Sequence, residues 1–295
     1  MKNIQEFISS YYGDLHKKVK IEVLKDNYKA TVVKIVSTNN NDVIVKKYKD
    51  NGKVRAEKEF ILLQKLFESG LNVPRPIKLF ADSINNAYYV YMSYICGETL
   101  ANIYYRNGKI SLNLLLKYCK LCLDIENLSI ESEIKKAMIS EDYYYNKIVK
   151  CYKHRDIFEN LGINYVKLSN ILYSFQWPKD NDVLIHGDFH FDNIILTKTK
   201  ELYVIDLEEA FYANFYVEIA RIIIARDLYT GSVILALFRK LRDFDENHLG
   251  YYILLELAYN VIEYYIFISE NHVNKTTIER YNQYLNNLKH FLSSY

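Results

Sequence analysis

Three polar residues in one short segment have the types and the spacing that phosphoryl transfer requires. His186, Asp188 and Asn193 form the skeleton H-x-D-x-x-x-x-N within the segment VLIHGDFHFDNIIL at residues 183–196. In kinases with this spacing, the aspartate accepts a proton from the acceptor hydroxyl and the asparagine holds a divalent cation on the nucleotide phosphates. Asp206 ends the next apolar run and adds a carboxylate, which gives an oxygen-rich set suited to Mg²⁺.

A lone carboxylate on the apolar face of a predicted helix supports this interpretation independently. Residues 55–69 have helical periodicity, and Glu59 lies in the middle of an apolar face formed by Ala56, Phe60, Leu62, Leu63, Leu66 and Phe67. A buried carboxylate is costly unless a cation pairs with it. The preceding strand offers Lys46 in the pattern V-x-V-K, which favours it over Lys47. The alternative is an ordinary half-buried ion pair.

The elements that position these residues change character along the chain. Strands are predicted at residues 21–24, 30–36, 43–48, 77–81 and 87–94, with a hairpin turn at 37–42. Helices are predicted at 55–69, 111–128, 142–158, 215–228 and 248–268, and a hairpin is embedded at 183–206. We therefore predict an α+β protein with a small antiparallel-sheet lobe containing one helix at 1–95 and a larger, mainly helical lobe at 96–295.

Composition excludes several other classes of protein. The chain has 295 residues, of which half are apolar and a quarter are charged, and only nine are glycine and three are proline. This composition argues against intrinsic disorder and against repetitive, linker-rich sequence. The net charge is +2 without a block of basic residues, so a nucleic-acid partner is not expected. The most apolar run, 251–268, contains Glu256 and Glu263, so a membrane span is not expected.

The four cysteines are Cys96, Cys119, Cys122 and Cys151. The single C-x-x-C pair falls in a leucine-rich, helix-like stretch without a second pair, which favours buried reduced thiols over a metal site. A cytosolic location is the corresponding expectation.

Taken together, four motifs resemble the aminoglycoside phosphotransferase and choline kinase-like family, whose members are small-molecule kinases with a bilobal, protein kinase-like fold. The motifs are HGDFHFDN at 186–193, IDLE at 205–208, KEFILLQKL running into VPRP at 58–76, and YMSYICGETL at 91–100. The resemblance covers roughly residues 20–225. It implies transfer of the γ-phosphate of ATP or GTP to a hydroxyl group of a small acceptor, with Mg²⁺ as cofactor.

The resemblance also implies a role for each matching residue. Asp188 would be the catalytic base or orient the hydroxyl, and His186 and His190 would order the loop. Asn193 and Asp206 would ligate Mg²⁺, while Lys46, held by Glu59, would contact the nucleotide phosphates. Backbone groups of Ser93, Tyr94 and Ile95 would meet the base edge of the nucleotide.

Three positions depart from the family pattern. Residues 24–31 stand where a phosphate-covering loop is expected, and they contain no glycine, which puts close backbone approach to phosphate in doubt. Leu207 replaces the usual aromatic residue after the metal-binding aspartate. Glu218 stands where the family often has an aspartate that braces the catalytic loop.

The acceptor is less explicit in the sequence. The resemblance places an aminoglycoside or related aminosugar slightly ahead of choline, and a cationic acceptor of this kind would imply a role in antibiotic resistance. Glu256, Asn260 and Glu263 share one stripe of a helix and would form an acidic wall for such an acceptor, whereas Tyr252, Tyr259 and Trp177 would form an aromatic cage for choline. The simpler interpretation of the stripe is a solvated helix face.

Two further classes of function stay open. His186, Asp188 and His190 alternate and would suit a metal-dependent hydrolase, although the other histidines stand singly. The glycine-free loop instead favours a catalytically silent, kinase-like binding protein. Mg²⁺-dependent turnover of ATP or GTP separates the second alternative from an active kinase.

Overall fold

The computed structural model describes residues 20–26, 29–36, 42–49, 52–82, 86–128, 143–175, 182–243, 245–271 and 273–294. The predicted turn at 37–42 falls almost wholly outside these residues, and Trp177 also lies outside them. The chain divides into two compact units: unit 1 comprises Met1–Ile103 and Phe191–Glu209, and unit 2 comprises Tyr104–His190 and Ala210–Tyr295. The predicted boundary between residues 95 and 96 stays a prediction.

Unit 1 contains a five-stranded antiparallel sheet in the order β1-β2-β3-β5-β4. Its strands are β1 (Lys20–Asp26), β2 (Ala30–Val36), β3 (Val43–Tyr48), β4 (Pro76–Asp82) and β5 (Ala87–Ser93). Alternating apolar residues of the central strands, including Val33, Val45 and Tyr89, form the core on one face of the sheet. The five predicted strands are therefore present, with ends that differ by at most two residues.

The helix that follows the third strand, α1 (Gly52–Glu68), buries the face that carries the lone carboxylate. The buried residues are Gly52, Ala56, Glu59, Leu62, Leu63 and Leu66. Phe67, which we placed on this face, is 44% exposed. The reason is geometric, because the buried residues centre on Glu59 at 100° per residue and leave Phe67 at the edge of the face.

A second, three-stranded sheet in unit 1 has the order β6-β8-β9, formed by β6 (Gly97–Thr99), β8 (Ile194–Thr197) and β9 (Leu202–Val204). The backbone of β6 approaches β8 so closely at Gly97 that a Cβ atom would collide with the carbonyl oxygen of Leu196. Short 3₁₀ turns at Phe191–Asn193 and Leu207–Glu209 flank this sheet. The first turn ends at Asn193 and the second begins directly after Asp206, so both residues belong to unit 1.

Unit 2 is mainly helical. Among its described residues, the helices are α3 (Leu112–Glu126), α4 (Tyr143–Lys153), α5 (Arg155–Asn160), α6 (Tyr165–Ser174), α7 (Phe215–Ile224), α8 (Leu228–Leu241), α9 (Glu246–Glu270) and α10 (Lys275–Ser294). Helix α2 (Leu100–Asn107) begins in unit 1 and ends in unit 2. The single helix predicted at 142–158 is two helices, α4 and α5. The helix predicted at 215–228 ends at Ile224, and α8 follows it from Leu228.

The hairpin predicted at 183–206 is present only in its second half, where β8 pairs antiparallel with β9. The strand before the HGD segment, β7 (Asp182–Ile185), pairs with β10 (Phe211–Asn214) in a two-stranded sheet, whereas β8 pairs with β6 and β9. The strands on either side of the motif thus belong to different sheets. The two apolar runs beside the HGD segment suggest a local hairpin, but β7 pairs with the later strand β10, and β8 pairs with β9 and the earlier strand β6.

Helix α9 is long and apolar enough to cross a membrane by length and composition alone. It packs against α4, α7 and α10 in unit 2, and its Leu254, Ala258 and Val261 belong to the core of that unit. Its Glu256 is also buried and forms an ion pair with Lys147. This packing is that of a core helix.

Candidate active site

Lys46 on β3 lies at the centre of a cluster of three carboxylates. Its Nζ is 2.9 Å from Glu59 Oε2, 2.5 Å from Asp206 Oδ1 and 3.2 Å from Glu208 Oε2. The remaining oxygen of Glu59, Oε1, accepts a hydrogen bond from the backbone N–H of Leu207 at 3.1 Å. Glu59 therefore connects the sheet, helix α1 and the turn that carries Asp206. The structure brings together three of the residues singled out from the sequence and adds Glu208.

Lys46 shares these carboxylates with two other cations, since Lys25 Nζ lies 3.7 Å from Asp206 Oδ2 and Arg55 Nη1 lies 4.0 Å from Glu208 Oε2. Burial lowers the pKa of Lys46, but the attraction of Glu59, Asp206 and Glu208 outweighs burial, so the net shift is upward and the lysine stays charged. Burial raises the pKa of Glu59 to about 7; Lys46 opposes this shift, while Asp206 and Glu208 add to it. Asp206 and Glu208 thus lie close enough to Glu59 to disfavour its charged form.

The grouping of carboxylate oxygens fits a divalent cation. Oxygen atoms of Glu59, Asp206 and Glu208 all lie within 4.8 Å of one another, and carboxylate oxygens are the ligands that Mg²⁺ prefers. Asn193 lines the same cavity and offers an amide oxygen. Asp206 has φ of 65°, a left-handed conformation that is strained for a residue other than glycine and that is common at functional sites.

The cluster opens into a cavity of about 540 Å³ within unit 1. Its lining consists of Leu24, Lys25, Val32, Ile44, Lys46, Glu59, Pro74, Met92, Ser93, Tyr94, Ile95, Thr99, Asp192, Asn193, Ile195, Ile205 and Asp206. An apolar pocket with a few convergent polar groups at one end is typical of a site for a small ligand. The segment Ser93–Ile95, predicted to meet the base of a nucleotide, lies on its wall.

Two backbone amides of this segment are already hydrogen-bonded within the protein. The N–H of Ser93 donates to the carbonyl of Arg75 at 2.9 Å, and the N–H of Tyr94 donates to the carbonyl of Asp42 at 3.1 Å. These two amides are not donors to a ligand while those bonds persist. Within this segment, the backbone groups predicted to meet the nucleotide base are therefore the carbonyl groups and the N–H of Ile95.

In unit 2, the predicted catalytic residue Asp188 lies in a loop that hydrogen bonds order from within. The backbone N–H of Asp188 donates to Nδ1 of the buried His186 at 3.2 Å, and the N–H of His190 donates to the carbonyl of Asp188 at 2.7 Å. His190 Nε2 lies 3.2 Å from Asp188 Oδ1. The Asp188 side chain is 41% exposed, so it is held by its neighbours and still accessible.

Helix α7 braces the loop at Gly187, which has φ of 77°. The N–H of Gly187 donates to Glu218 Oε2 at 2.9 Å, and Arg221 Nη1 donates to the carbonyl of the same glycine. Glu218, despite its extra methylene, thus reaches the loop as the family aspartate was expected to do. One helix holds both polar groups of the residue that precedes Asp188.

Arg221 is in turn held by a buried network. Its Nη2 donates to Tyr143 Oη at 2.8 Å, and its Nε lies 3.4 Å from Glu256 Oε2. Both oxygens of Glu256 also lie 2.6 Å from Lys147 Nζ. Glu256 is 2% exposed and its charge is neutralised inside the protein, so it is neither the solvated stripe nor the acidic wall that the sequence suggested.

Removing the charge of Glu256 should strongly destabilise unit 2. Burial lowers the pKa of Lys147 to about 8, Glu256 opposes that shift, and Arg221 adds to it. In Glu256→Gln two buried cations lose their shared partner, and we expect a loss of about 3 kcal/mol in the free energy of unfolding. Urea denaturation measures this loss.

The matched control is Glu263→Gln on the same helix. Glu263 forms an exposed ion pair with Lys150, and its substitution should change the free energy of unfolding by less than about 1 kcal/mol. Equal losses would contradict the buried network.

The environment of His190 should make stability depend on acid pH. Burial lowers the pKa of His190 to about 3, and the nearby cations Arg226, Arg280 and Arg221 add to the shift. Between pH 6.5 and 3 the unfolded chain therefore binds a proton that the folded chain does not, so stability falls as pH falls through this window. We expect urea denaturation of His190→Gln to show a shallower loss between these pH values than the unmodified protein. An unchanged slope would show that His190 titrates normally.

Several residues of the site were indicated only weakly by the sequence, or not at all. Glu208 lies within the IDLE segment, where a second carboxylate two positions after Asp206 was visible although it had no assigned role. Nothing in the sequence indicated Arg221 or Tyr143, because their contacts join segments far apart in the chain.

The alternative of a metal-dependent hydrolase gains no support from the structure. Among the described residues, the side chains that converge as metal ligands are Glu59, Asp206 and Glu208, and this set does not include His186, Asp188 or His190.

The chain is similar to known proteins in sequence and in fold. Residues 20–249 match the family model described as "Phosphotransferase enzyme family". No curated protein matches the chain. Among solved structures, an aminoglycoside phosphotransferase of type APH(2″), in complex with GDP and kanamycin, is 13% identical with a TM-score of 0.71 over 100% of this chain and 99% of that chain.

Two other solved structures are similar over nearly the whole length. A spectinomycin phosphotransferase in complex with ADP and spectinomycin is 13% identical, with a TM-score of 0.66 over 97% of each chain. The choline kinase LicA from Streptococcus pneumoniae is 17% identical, with a TM-score of 0.63 over 100% of this chain and 99% of that chain. At these identities the similarity shows the fold, and it confirms the predicted α+β, kinase-like architecture.

Proposed function

We propose that this chain, which belongs to the phosphotransferase enzyme family, transfers the γ-phosphate of ATP or GTP to a hydroxyl group of a small acceptor. The observation that carries the proposal is the convergence of Lys46, Glu59 and Asp206 at one end of an otherwise largely apolar cavity in unit 1. The apolar part suits a purine base, and the charged end suits phosphates and a metal ion.

The site residues predicted from the sequence that line the cavity have these parts in the proposal. Lys46, oriented by Glu59, contacts the nucleotide phosphates, and the Ser93–Ile95 segment receives the base. Asp206 and Asn193 hold Mg²⁺, with Glu208 as a further carboxylate in reach of Lys46. When bound, the cation neutralises charge on the phosphates.

The loop of unit 2 supplies the group that acts on the acceptor. Asp188 accepts the proton of the acceptor hydroxyl or orients that hydroxyl for attack on the γ-phosphorus, while His186 and His190 order the loop through hydrogen bonds. Phosphoryl transfer needs positioning and charge neutralisation more than covalent chemistry. The support for this assignment is the accessible Asp188 side chain on a loop that α7 holds at Gly187.

For the acceptor, we place an aminoglycoside or related aminosugar first and choline or ethanolamine second. Structures of similar fold include complexes with spectinomycin and with kanamycin, as well as a choline kinase. The aromatic cage considered for choline loses support, because Tyr252 is 1% exposed and the ring of Tyr259 already lies 4.3 Å from Lys147 Nζ. The buried Glu256 likewise gives no direct support for a cationic acceptor.

A panel of acceptors tests this proposal. Purified protein with Mg²⁺ and either ATP or GTP is assayed for phosphate transfer to aminoglycosides, simple aminosugars, choline and ethanolamine, with Asp188→Asn as the inactive control. Transfer to one class identifies the acceptor, and loss of transfer on chelation of Mg²⁺ supports the metal. Tight nucleotide binding without turnover on any acceptor would favour the silent binding protein instead.

We also propose a cytosolic location. The support is chemical: Cys119, Cys122 and Cys151 are buried free thiols, and burial raises the pKa of Cys119 and of Cys151 to about 12. Such thiols are unreactive and suit a reducing compartment.

A further inference from the structure

We propose that Lys25 is a second phosphate-binding cation, which compensates for the absence of glycine in the loop between β1 and β2. The inference rests on the proposed function, since it assigns a residue to the nucleotide site. It concerns a position for which neither the motif pattern nor the family resemblance predicts a role.

A β-bulge places Lys25 in the same cross-strand row as Lys46. From Lys20 to Val23, each residue of β1 pairs with β2 in one register, but the register shifts by one between Val23 and Lys25. Leu24 would otherwise pair with Val32, and after the shift Lys25 takes that place. Bulges of this kind redirect side chains near functional sites.

The shift aligns Lys25 with the lysine already described. Val32 pairs with Lys46 on the next strand, so Lys25, Val32 and Lys46 form one row across three strands. Residues directly opposite in antiparallel strands project from the same face of a sheet. All three line the cavity, which shows that this face points into it.

Both lysines reach the same carboxylate from different directions. Lys46 Nζ lies 2.5 Å from Asp206 Oδ1, and Lys25 Nζ lies 3.7 Å from Asp206 Oδ2. The Lys46 side chain is 7% exposed and enclosed by Glu59 and Glu208, whereas the Lys25 side chain is 55% exposed. Lys25 therefore has the freedom to leave Asp206 and meet a phosphate when a metal ion takes its place there.

Side-chain contacts hold the residues on both sides of the connection between β1 and β2. Asp26, next to Lys25, accepts hydrogen bonds from Thr31 Oγ1 at 2.8 Å and from Lys49 Nζ at 2.7 Å. On the other side, Lys29 Nζ lies 2.6 Å from Glu209 Oε1. A glycine-rich loop binds phosphate through backbone N–H groups that approach closely. Here a side chain that extends from an anchored strand supplies the positive charge instead.

Nucleotide binding by Lys25→Ala tests the assignment. Isothermal titration calorimetry, without an acceptor, gives Kd for Mg·ATP, for Mg·GTP and for adenosine and guanosine, which lack phosphates. We expect about a ten-fold weaker Kd for the preferred triphosphate and an unchanged Kd for its nucleoside, because one charge-assisted contact is lost. Lys25→Arg should retain most of the affinity.

The control is Lys20→Ala on the same strand, where an exposed lysine pairs with Glu22. This variant should bind the triphosphate as the unmodified protein does. Equal triphosphate affinity in Lys25→Ala and Lys20→Ala would overturn the inference while leaving the proposed function intact. An equal loss for triphosphate and nucleoside would also overturn it, since a general disturbance of the cavity would then be the cause. Failure of the unmodified protein to bind either triphosphate would refute the proposed function together with this inference.

Discussion

We expect Asp188→Asn to lower kcat for phosphate transfer by about 100-fold or more while leaving Kd for the nucleotide unchanged. Asparagine has nearly the same shape but cannot accept the proton of the acceptor hydroxyl. The nucleotide cavity is lined by residues of unit 1, so the substitution removes none of its groups. Steady-state kinetics with the acceptor identified by the panel, combined with calorimetry for the nucleotide, measures both quantities.

The matched control is Asp124→Asn, which changes an exposed aspartate on α3 in the same unit. It should leave kcat and the melting temperature unchanged. Full activity in Asp188→Asn would refute the assignment of Asp188 as base or orienting group. A parallel fall in melting temperature and in kcat would point to loop disorder, which circular dichroism distinguishes from a chemical defect.

The second large effect is expected at Lys46. In Lys46→Ala, Glu59, Asp206 and Glu208 lose their shared cation, and the nucleotide phosphates lose a contact. We expect kcat/KM for the nucleotide to fall by about 100-fold, and the free energy of unfolding to fall by about 3 kcal/mol because a buried ion cluster is broken. Nucleotide-dependent turnover and urea denaturation measure these losses.

The control variant Lys47→Ala distinguishes loss of the Lys46 charge from disruption of strand β3. Lys47 is the next residue on β3, and its Nζ lies 5.8 Å from the centre of the Tyr89 ring, outside the carboxylate cluster. Its loss should change kcat/KM by less than about three-fold, in line with a weak cation–π contact. Similar losses in both variants would show that activity depends on the strand and not on the Lys46 charge.

The elements that could be predicted best are those whose sequence pattern is local. Strands β2 and β3 begin and end where the alternation of β-branched and polar residues placed them, and α1 follows from its apolar periodicity. Glu59 stood out because a carboxylate on an apolar face is costly without a partner. The pairing of Lys46 with Glu59 could therefore be predicted from two short segments.

The features that escaped prediction depend on distant partners or on single-residue irregularities. Strand β7 pairs with β10, which begins only after the whole β8–β9 segment, and no local pattern encodes that choice. Glu256 meets Lys147 across 109 positions of the chain, so its stripe could not be distinguished from a solvated face. The bulge at Leu24 brings Lys25 opposite Val32, so Lys25 joins Leu24 in the cavity lining, whereas strict alternation predicts only Leu24 there.

The grouping of carboxylates around Lys46 has a practical consequence for handling the protein. Asp206 and Glu208 raise the pKa of Glu59, so these carboxylates repel one another, and a metal-bound nucleotide would relieve that repulsion. A ligand that binds only the folded state stabilises it by an amount that grows with the logarithm of ligand concentration, about 2.7 kcal/mol at one hundred times Kd. The melting temperature should thus serve as a label-free titration of occupancy, with Mg²⁺ and nucleotide together raising it more than either alone.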